Sequence, residues 1–262
     1  MQYAVSVLPV VPLRSLPSDK EEMISQLIFG EHVLILEKQK KWSFIENCRD
    51  NYRGWVFNSM IYQLTEEEAL QLNSTGPPVL ATLLLPVADT KTKYTFYIPA
   101  GSLLHHYKPA SNSFHINDYH FNCLDEPLFY KKEEIREKIS QTALKFLNIP
   151  YLWGGKNPFG MDCSGLTQTI LSMYGIIIPR DACQQVEKGI TINFISEAKP
   201  GDLAFFDNDE GEISHTGIII SNQQIIHASG QVRIDRIDHQ GIYNSTIKQY
   251  THKLRVIKNV VD

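Results

Sequence analysis

The pattern of hydrophobic and polar positions divides the chain into a β-rich first half and a second half in which helices precede strands. Short apolar runs alternate with turns over 1–65, which predicts a small all-β domain. A weaker set of strand-like runs covers 79–128. The acidic, helix-like patch 65–70 with Gly-Pro-Pro at 76–78 predicts a linker between the two. Helical spacing followed by strand-like runs predicts an α+β domain over 131–262.

Two helices are predicted at the start of that last domain. The first begins at Lys131 and ends before Pro150. The second covers 164–174, with Asp162 as its N-cap and Gly175 just beyond its end. The strands predicted after them are 203–206, 216–220, 224–228, 232–235 and 253–257.

Candidate chemistry concentrates where a glycine-rich loop, beginning at Tyr151, runs into the second helix. This point places Cys163 in the first helical turn, directly after Asp162. The N–H groups and dipole of a helix N-terminus lower the pKa of a thiol, so we expect a favoured thiolate. The same N–H groups can hold an oxyanion during acyl transfer.

Two histidines in the strand-rich part could complete a nucleophilic triad with Cys163. His215 is the candidate general base, and His227 would orient it and fix its tautomer. Taken singly, each residue is more typical of a core or surface position. Their combination with the glycine loop favours catalysis.

The triad depends on the register of the hairpin that carries the two histidines. A three-residue loop at 221–223 would pair Ile220 with Gln224 and Gly217 with His227. Both histidines would then lie on one face of the sheet, diagonally opposed. A two-residue loop would place them on opposite faces, so this hypothesis requires the odd loop length.

Together these residues resemble the NlpC-type cysteine peptidases, a bacterial branch of the papain-like superfamily. The similarity extends over about 132–260 and consists of six blocks in the family's order. The blocks are Pro-Tyr-Leu-Trp-Gly-Gly at 150–155, Asp-Cys-Ser-Gly at 162–165, Arg-Asp at 180–181, Gly-Asp-Leu-Ala-Phe-Phe at 201–206, His-Thr-Gly-Ile at 215–218 and His-Ala at 227–228.

The resemblance implies a papain-like α+β catalytic domain that hydrolyses the γ-D-glutamyl bond to a diamino acid in peptidoglycan stem peptides. It implies that Cys163 is the nucleophile, His215 the base and His227 the orienting group, without a cofactor or a catalytic metal. We expect free muropeptides with an N-terminal L-Ala as substrates.

The resemblance also implies three substrate-binding residues in the same domain. Tyr151 would hold the scissile carbonyl, while Ser164 and Asp181 would line the pocket, with Asp181 meeting the free amine. Asp181 could equally be a helix N-cap. Relatives specialised for short peptides often read Arg-Asp-Ser, whereas this chain has Ala182 at the third position and lacks that hydroxyl.

The first half resembles bacterial SH3-like domains, so one or two small all-β barrels are expected before the catalytic domain. Phe-Gly-Glu at 29–31 and Gly-Trp-Val at 54–56 carry this similarity. In some multi-domain relatives such a domain closes the cleft and reads the substrate's amine. Glu31 and Tyr52 are the candidates for this role. The alternatives are a solvated turn carboxylate for Glu31 and a barrel-surface aromatic for Tyr52.

Composition adds constraints on partners and compartment. The 262 residues carry a formal net charge of −4. Without a basic tract or a long apolar run, neither nucleic acid nor membrane is an expected partner, and the oligomeric state stays open. Four scattered cysteines and an N-terminus without signal-peptide features favour the cytoplasm, whereas a removed signal peptide would indicate a secreted or periplasmic protein.

Three other functions compete with this one. The chain could be a secreted hydrolase of intact peptidoglycan, a non-catalytic wall-binding module, or a zinc protein that uses Cys163, His215 and His227 as ligands. His105, His106, His115 and His120 could also suggest a metal site. They lack paired ligand spacing, so we expect surface or hinge histidines.

Overall fold

A computed structural model of the chain describes residues 1–74 and 76–262. These form two compact units, 1–130 and 131–262. Within the described residues, no helix is both long and apolar enough to cross a membrane.

The first unit contains two antiparallel sheets. One sheet has seven strands in the order β3-β2-β6-β5-β4-β1-β7 and the other has four in the order β10-β11-β8-β9. The strands of the first sheet are β1 Gln2–Val5, β2 Val10–Arg14, β3 Met23–Ile28, β4 His32–Lys38, β5 Trp42–Asn47, β6 Arg53–Phe57 and β7 Tyr62–Leu64. Those of the second are β8 Leu84–Asp89, β9 Thr95–Pro99, β10 Ser113–Ile116 and β11 Tyr119–Cys123.

One hydrophobic core joins the two sheets of this unit. Phe29 from the first sheet region packs edge-on against Phe114 and Phe121 of the second, at centroid distances of 5.8 and 5.3 Å. The separation of this unit into domains 1–65 and 79–128 therefore stays a prediction.

The segment predicted as a linker is a helix, α1, at Glu66–Ser74. Thr65 and Glu68 form a reciprocal capping box, with the Glu68 backbone N–H donating to Thr65 Oγ1 and the Thr65 N–H to Glu68 Oε2. Ala69 and Leu72, three positions apart on one face, are each 1% exposed and belong to the core. The predicted helical character is confirmed and this apolar pair anchors the helix in the core, while its role as a linker stays a prediction.

The turn at Gly30 shows how tightly the two sheet regions meet. Gly30 has a φ of +84°, and a Cβ there would clash with the carbonyl oxygen of Leu103. His105 donates from Nε2 to the Gly30 carbonyl over 2.8 Å and is fully buried. The expectation of a surface or hinge residue is therefore wrong for His105, which bridges the unit internally.

Helices open the second unit, as predicted. A 3₁₀ turn at Lys132–Glu134 leads into α2 at Ile135–Leu144, and α3 covers Cys163–Ser172. Gly175, at a φ of +75°, follows the last turn of α3. The other short elements are β12 Lys156–Asn157, β13 Gly160–Met161, α4 Ala182–Gln185 and a 3₁₀ turn at Ile195–Glu197.

Seven antiparallel strands complete this unit in the order β14-β20-β15-β16-β17-β18-β19, and a further β19–β20 pairing closes six of them into a ring. The strands are β14 Ile190–Ile192, β15 Leu203–Asp207, β16 Ile213–Ser221, β17 Gln224–Ser229, β18 Gln231–Ile237, β19 Gly241–Asn244 and β20 Gln249–Asn259. The five predicted strands are confirmed, whereas β14 and β19 were not predicted. This unit thus has helices before an antiparallel sheet.

The β16–β17 hairpin reaches the expected register by a different route. Gly217 pairs with His227, as predicted, but Ser221 rather than Ile220 pairs with Gln224. A two-residue turn follows, with Gln223 at a φ of +63°, and a register shift between Ile219 and Ser221 inserts one extra residue. The extra residue of the bulge places His215 and His227 on the same face of the sheet, as a three-residue loop would have done.

Candidate active site

Asp162 organises the start of α3. Its Oδ1 accepts the N-cap hydrogen bond from the Gly165 N–H at 2.6 Å, and its Oδ2 accepts from the Gly154 N–H at 2.8 Å. Arg180, only 1% exposed, approaches both oxygens, with its two terminal nitrogens 3.0 and 2.6 Å away. The carboxylate therefore joins the glycine loop, the helix cap and a buried guanidinium in one network.

The glycines of this region are needed where backbones touch. A Cβ on Gly165 would clash with the carbonyl oxygen of Gly155, and one on Gly155 would clash with the carbonyl oxygen of Gly160. Helix α3 thus begins in direct contact with the loop. This contact fixes the position of Cys163 at the first helical residue.

Cys163 is 6% exposed, and burial raises the pKa of its thiol to about 11, with the charge of Asp162 acting in the same direction. Backbone hydrogen bonds from Thr216 and Ser164 oppose the shift, as does Arg180. The expectation of a favoured thiolate is wrong for the resting chain. Desolvation outweighs the helix N-terminus and favours the thiol.

His215, His227 and a carboxylate form a hydrogen-bonded row. His215 Nε2 lies 2.9 Å from His227 Nδ1, and His227 Nε2 lies 3.1 Å from Asp235 Oδ2. The carboxylate can only accept, so His227 donates from Nε2 and accepts at Nδ1. His215 then donates from Nε2, which leaves the lone pair on its Nδ1.

The electrostatics of this row favour a neutral base. Burial lowers the pKa of His215 well below 6.5, and the neighbouring His252 and His227 lower it further. Burial alone would raise the pKa of Asp235, but hydrogen bonds from His227 and Arg233 outweigh it and lower that pKa. An ionised Asp235 thus accepts from His227 and fixes the tautomers along the row, with a neutral His215 at its end.

Sequence reasoning missed Asp235, although a signal was present. His227 pairs with Arg233 across β17 and β18, so Asp235, two residues further, lies on the same face of the sheet. The register argument applied to β16–β17 would have found it in the next hairpin.

His252 is a second residue that the sequence did not indicate. Its ring stacks on that of His215 with centroids 4.1 Å apart and planes inclined by 26°. Burial and the proximity of His227 lower the pKa of His252 to about 4. It comes from β20, about 40 residues after His215, with no motif around it.

Two of the predicted substrate-binding residues of this unit, Tyr151 and Ser164, lie close to Cys163. Burial raises the pKa of Tyr151 to about 12, with the carboxylate of Asp162 acting in the same direction, so its hydroxyl stays protonated. The Ser164 hydroxyl accepts a 2.8 Å hydrogen bond from Arg180 and donates to Asp162. It supports the Asp162 network, and its role as a pocket residue stays a prediction.

Asp181 occupies the N-cap position of α4 and is half-buried. Within the described residues of this turn, no capping hydrogen bond reaches its side chain. The helix start is instead held by the Asp181 carbonyl, which accepts from the N–H groups of Gln184 and Gln185. Its contact with a substrate amine stays a prediction.

Glu31 and Tyr52 belong to the first unit. Glu31 is 3% exposed and its Oε2 accepts from the Ile28 N–H at 2.9 Å, so the alternative of a solvated turn carboxylate is wrong. Tyr52 is partly buried against the core of the seven-stranded sheet. Their substrate-binding roles stay predictions.

Two segments of the chain match known protein families. Residues 148–254 match the NlpC/P60 family, and residues 13–61 match the bacterial dipeptidyl-peptidase Sh3 domain. The two matches fall in the two different compact units.

Individual proteins are similar over most or part of the chain. A γ-D-glutamyl-L-lysine dipeptidyl-peptidase of Bacillus subtilis (strain 168) is 28% identical over 78% of this chain and 71% of its own length. A probable endopeptidase p60 of Listeria innocua is 43% identical over 38% of the chain and 21% of its own length. A crystal structure of an NlpC/P60 family protein from Bacillus cereus superposes with a TM-score of 0.81 at 18% identity, covering 99% of this chain and 100% of that one, and so shares its fold.

Proposed function

Because the chain carries an NlpC/P60 domain behind a bacterial Sh3 domain, we propose that it is a cysteine endopeptidase that cleaves γ-D-glutamyl-L-diamino acid bonds in peptidoglycan stem peptides. The observation that carries the proposal is the row from His215 through His227 to Asp235, together with a buried cysteine at a helix N-terminus whose sulfur accepts from the backbone of Thr216, the residue after His215. In finer terms we propose a papain-like domain with SH3-like β-structure before it.

The first chemical step follows from the neutral pair. The Cys163 sulfur attacks the γ-carbonyl carbon as its proton moves to His215 Nδ1. The imidazolium that forms keeps its Nε2–H directed to His227, which in turn donates to Asp235. N–H groups of the first turn of α3, with the Tyr151 hydroxyl, stabilise the oxyanion.

The second half of the reaction returns the enzyme to its starting state. His215 gives the proton to the leaving amine as the C–N bond breaks, which leaves a thioester on Cys163. Water then attacks the thioester carbonyl and gives a proton to His215. The C–S bond breaks, the peptide leaves with a free γ-carboxyl group, and the thiol is reformed.

The substrates we propose are free muropeptides with an unblocked N-terminal L-Ala. The similarity to a protein named as a dipeptidyl-peptidase supports this, because release of a dipeptide requires a free amino end. Asp181, Glu31 and Tyr52 are the proposed readers of that amine. A buried carboxylate selects an ammonium group and rejects an acylated one.

We further propose that the protein works in a reducing compartment, the cytoplasm. Support comes from the cysteines, since Cys48, Cys123, Cys163 and Cys183 are all free thiols in the described structure. Fractionation of the native host should recover the protein with cytoplasmic markers, and recovery in the cell-wall fraction would contradict this.

The function is tested with two matched peptides. Free L-Ala-γ-D-Glu-diaminopimelate should be cleaved to L-Ala-D-Glu, and the same peptide acylated at its amine should not. Cys163→Ala should lower kcat by about 10⁴-fold or more. Cys183→Ala, which removes an exposed thiol from the same unit, is the matched control and should keep full activity.

Each result has a consequence for the proposal. Equal cleavage of both peptides would contradict the reading of a free amine and favour hydrolysis of intact wall. Cleavage of neither peptide would contradict the peptidase, and full activity of Cys163→Ala would exclude this thiol as nucleophile.

A further inference from the structure

Three histidines converge at one end of the strand ring. His215, His227 and His252 each offer a ring nitrogen, and these three atoms lie within 4.8 Å of one another. Within the described residues, these three side chains lie close enough together to bind one metal ion. The cluster shares two histidines with the proposed triad but takes its third ligand from β20.

The spacing of the nitrogens is near that of a tetrahedral zinc site. Two nitrogens at zinc-bond lengths of about 2.0–2.1 Å from one ion are about 3.3 Å apart. His215 Nε2 and His227 Nδ1 are 2.9 Å apart, so these two rings need to separate only slightly to admit an ion, whereas the His252 ring, stacked on His215 at 4.1 Å, has to tilt away from it. Three imidazoles with a fourth position open to water are a donor set suited to Zn²⁺.

Outer contacts already orient two of the three rings. His227 donates from Nε2 to Asp235, which directs its Nδ1 toward the other histidines. His252 contacts Thr251 Oγ1 through Nδ1 at 2.9 Å, which leaves its Nε2 as the nitrogen for a metal. Carboxylate and hydroxyl partners of this kind fix ligand orientation in zinc proteins.

An entry path reaches the cluster from its β20 side. A cavity of about 810 Å³ is lined by residues that include Ser214, Thr251 and His252. His252 is only half-buried, whereas His215 and His227 are 7% and 1% exposed. An ion would therefore meet His252 first and reach the triad histidines behind it.

We propose that His215, His227 and His252 form a Zn²⁺-binding site that switches the enzyme off. Binding requires His215 to present the lone pair of Nε2, so its proton moves to Nδ1. That nitrogen is the proposed base, and a protonated Nδ1 cannot accept the proton of Cys163. The metal site does not depend on the proposed function, whereas the inhibition rests on it.

Calorimetric titration with Zn²⁺ tests the site without using activity. The parent is Cys163→Ala, which removes the thiol as a competing zinc ligand. We expect one Zn²⁺ per chain, and affinity reduced by about tenfold or more in Cys163→Ala/His252→Gln. The matched control is Cys163→Ala/His239→Gln. It changes an exposed histidine in the turn between β18 and β19 and should bind Zn²⁺ like the parent.

A Co²⁺ titration of Cys163→Ala gives a second readout that needs no histidine variant to fold. A tetrahedral visible spectrum is expected. A spectrum of hydrated Co²⁺ only, zinc binding that disappears with Cys163, or equal affinity in the His252→Gln and parent proteins would each overturn the site.

The inhibitory role is tested on the chain with Cys163 intact. Zn²⁺ at about the measured dissociation constant should halve peptide cleavage, and EDTA should restore it. In His252→Gln the inhibition, normalised to that variant's own activity, should need about tenfold more Zn²⁺. Stoichiometric zinc binding with unchanged cleavage would overturn the switch and leave both the peptidase and the site standing.

Discussion

The start of α3 and the β16–β17 hairpin place their reactive groups in equally dry surroundings, yet burial affects them in opposite ways. Cys163 is 6% exposed and His215 is 7% exposed. Burial raises the pKa of the thiol to about 11 and lowers that of the imidazole well below 6.5. A low-dielectric site disfavours whichever form is charged, which is the thiolate for one group and the imidazolium for the other.

From this comparison we infer a neutral resting pair. A thiolate–imidazolium pair would require both partners to take the form that burial disfavours. Attack by Cys163 must therefore be coupled to proton transfer, with His215 as a true general base. The Asp162 network at α3 then positions Cys163. The row that ends at Asp235 sets the tautomer of His215.

The largest effect is expected from breaking the α3 side with Asp162→Asn. The change removes the charge that pairs with Arg180, which is 1% exposed, and weakens the helix cap. An unpaired buried charge costs about 3–5 kcal/mol, so urea unfolding should show a loss of that size.

Asp209→Asn is the control for this change. Asp209 is exposed in the same unit, and its substitution should alter stability by less than about 0.5 kcal/mol. Similar losses for the two variants would contradict the role of Asp162 as the organising group.

A smaller effect is expected from breaking the hairpin side with Asp235→Asn. An amide can donate to His227 Nε2, which would reverse the tautomers along the row and remove the lone pair from His215 Nδ1. The equivalent change next to a catalytic histidine costs about 10⁴-fold in a serine protease. Because Asp235 acts one ring further away, we expect kcat to fall by about 10–100-fold, with KM little changed.

The control for the hairpin side is Asp238→Asn, a carboxylate hydrogen-bonded to Tyr250 nearby. It should keep the kcat of the unmodified chain. An Asp235→Asn effect that adds independently to that of His227→Gln would contradict the single row, because members of one network are non-additive.

The smallest expected effect is a shift of the acid limb of kcat/KM to lower pH. His215 must be neutral to act as the base, and its lowered pKa keeps it neutral in mildly acidic solution. The acid limb of kcat/KM should therefore lie below pH 6.5, the ordinary value for a histidine. An acid limb centred at or above pH 6.5 would contradict the lowered pKa of His215.

The start of α3 could be predicted from sequence because its determinants are local. Asp162, Cys163 and Gly165 fall within four residues, and capping depends only on that spacing. The direction of the Cys163 pKa could not, because it depends on how deeply the folded chain buries the thiol. The helix effect was real but smaller than the desolvation.

The hairpin could be predicted in register but not in turn geometry. Gly217 and His227 do pair, yet through a bulge at Ile220 that no residue type announces. Asp235 was within reach of the same argument, while His252 was not, because β20 reaches the site by pairing with β15, which lies much earlier in the chain. Likewise the packing of α1 into the core could not be predicted, because Ala69 and Leu72 are a small apolar pair in an acidic segment.

The most direct test of a neutral catalytic pair is a thiolate titration. The ultraviolet absorbance of the chain minus that of Cys163→Ser is measured across pH and reports the Cys163 thiolate alone. The account predicts no thiolate at neutral pH and a rise centred near the pKa of about 11. A plateau of thiolate already present at mildly acidic to neutral pH would show an ion pair with His215 and contradict it.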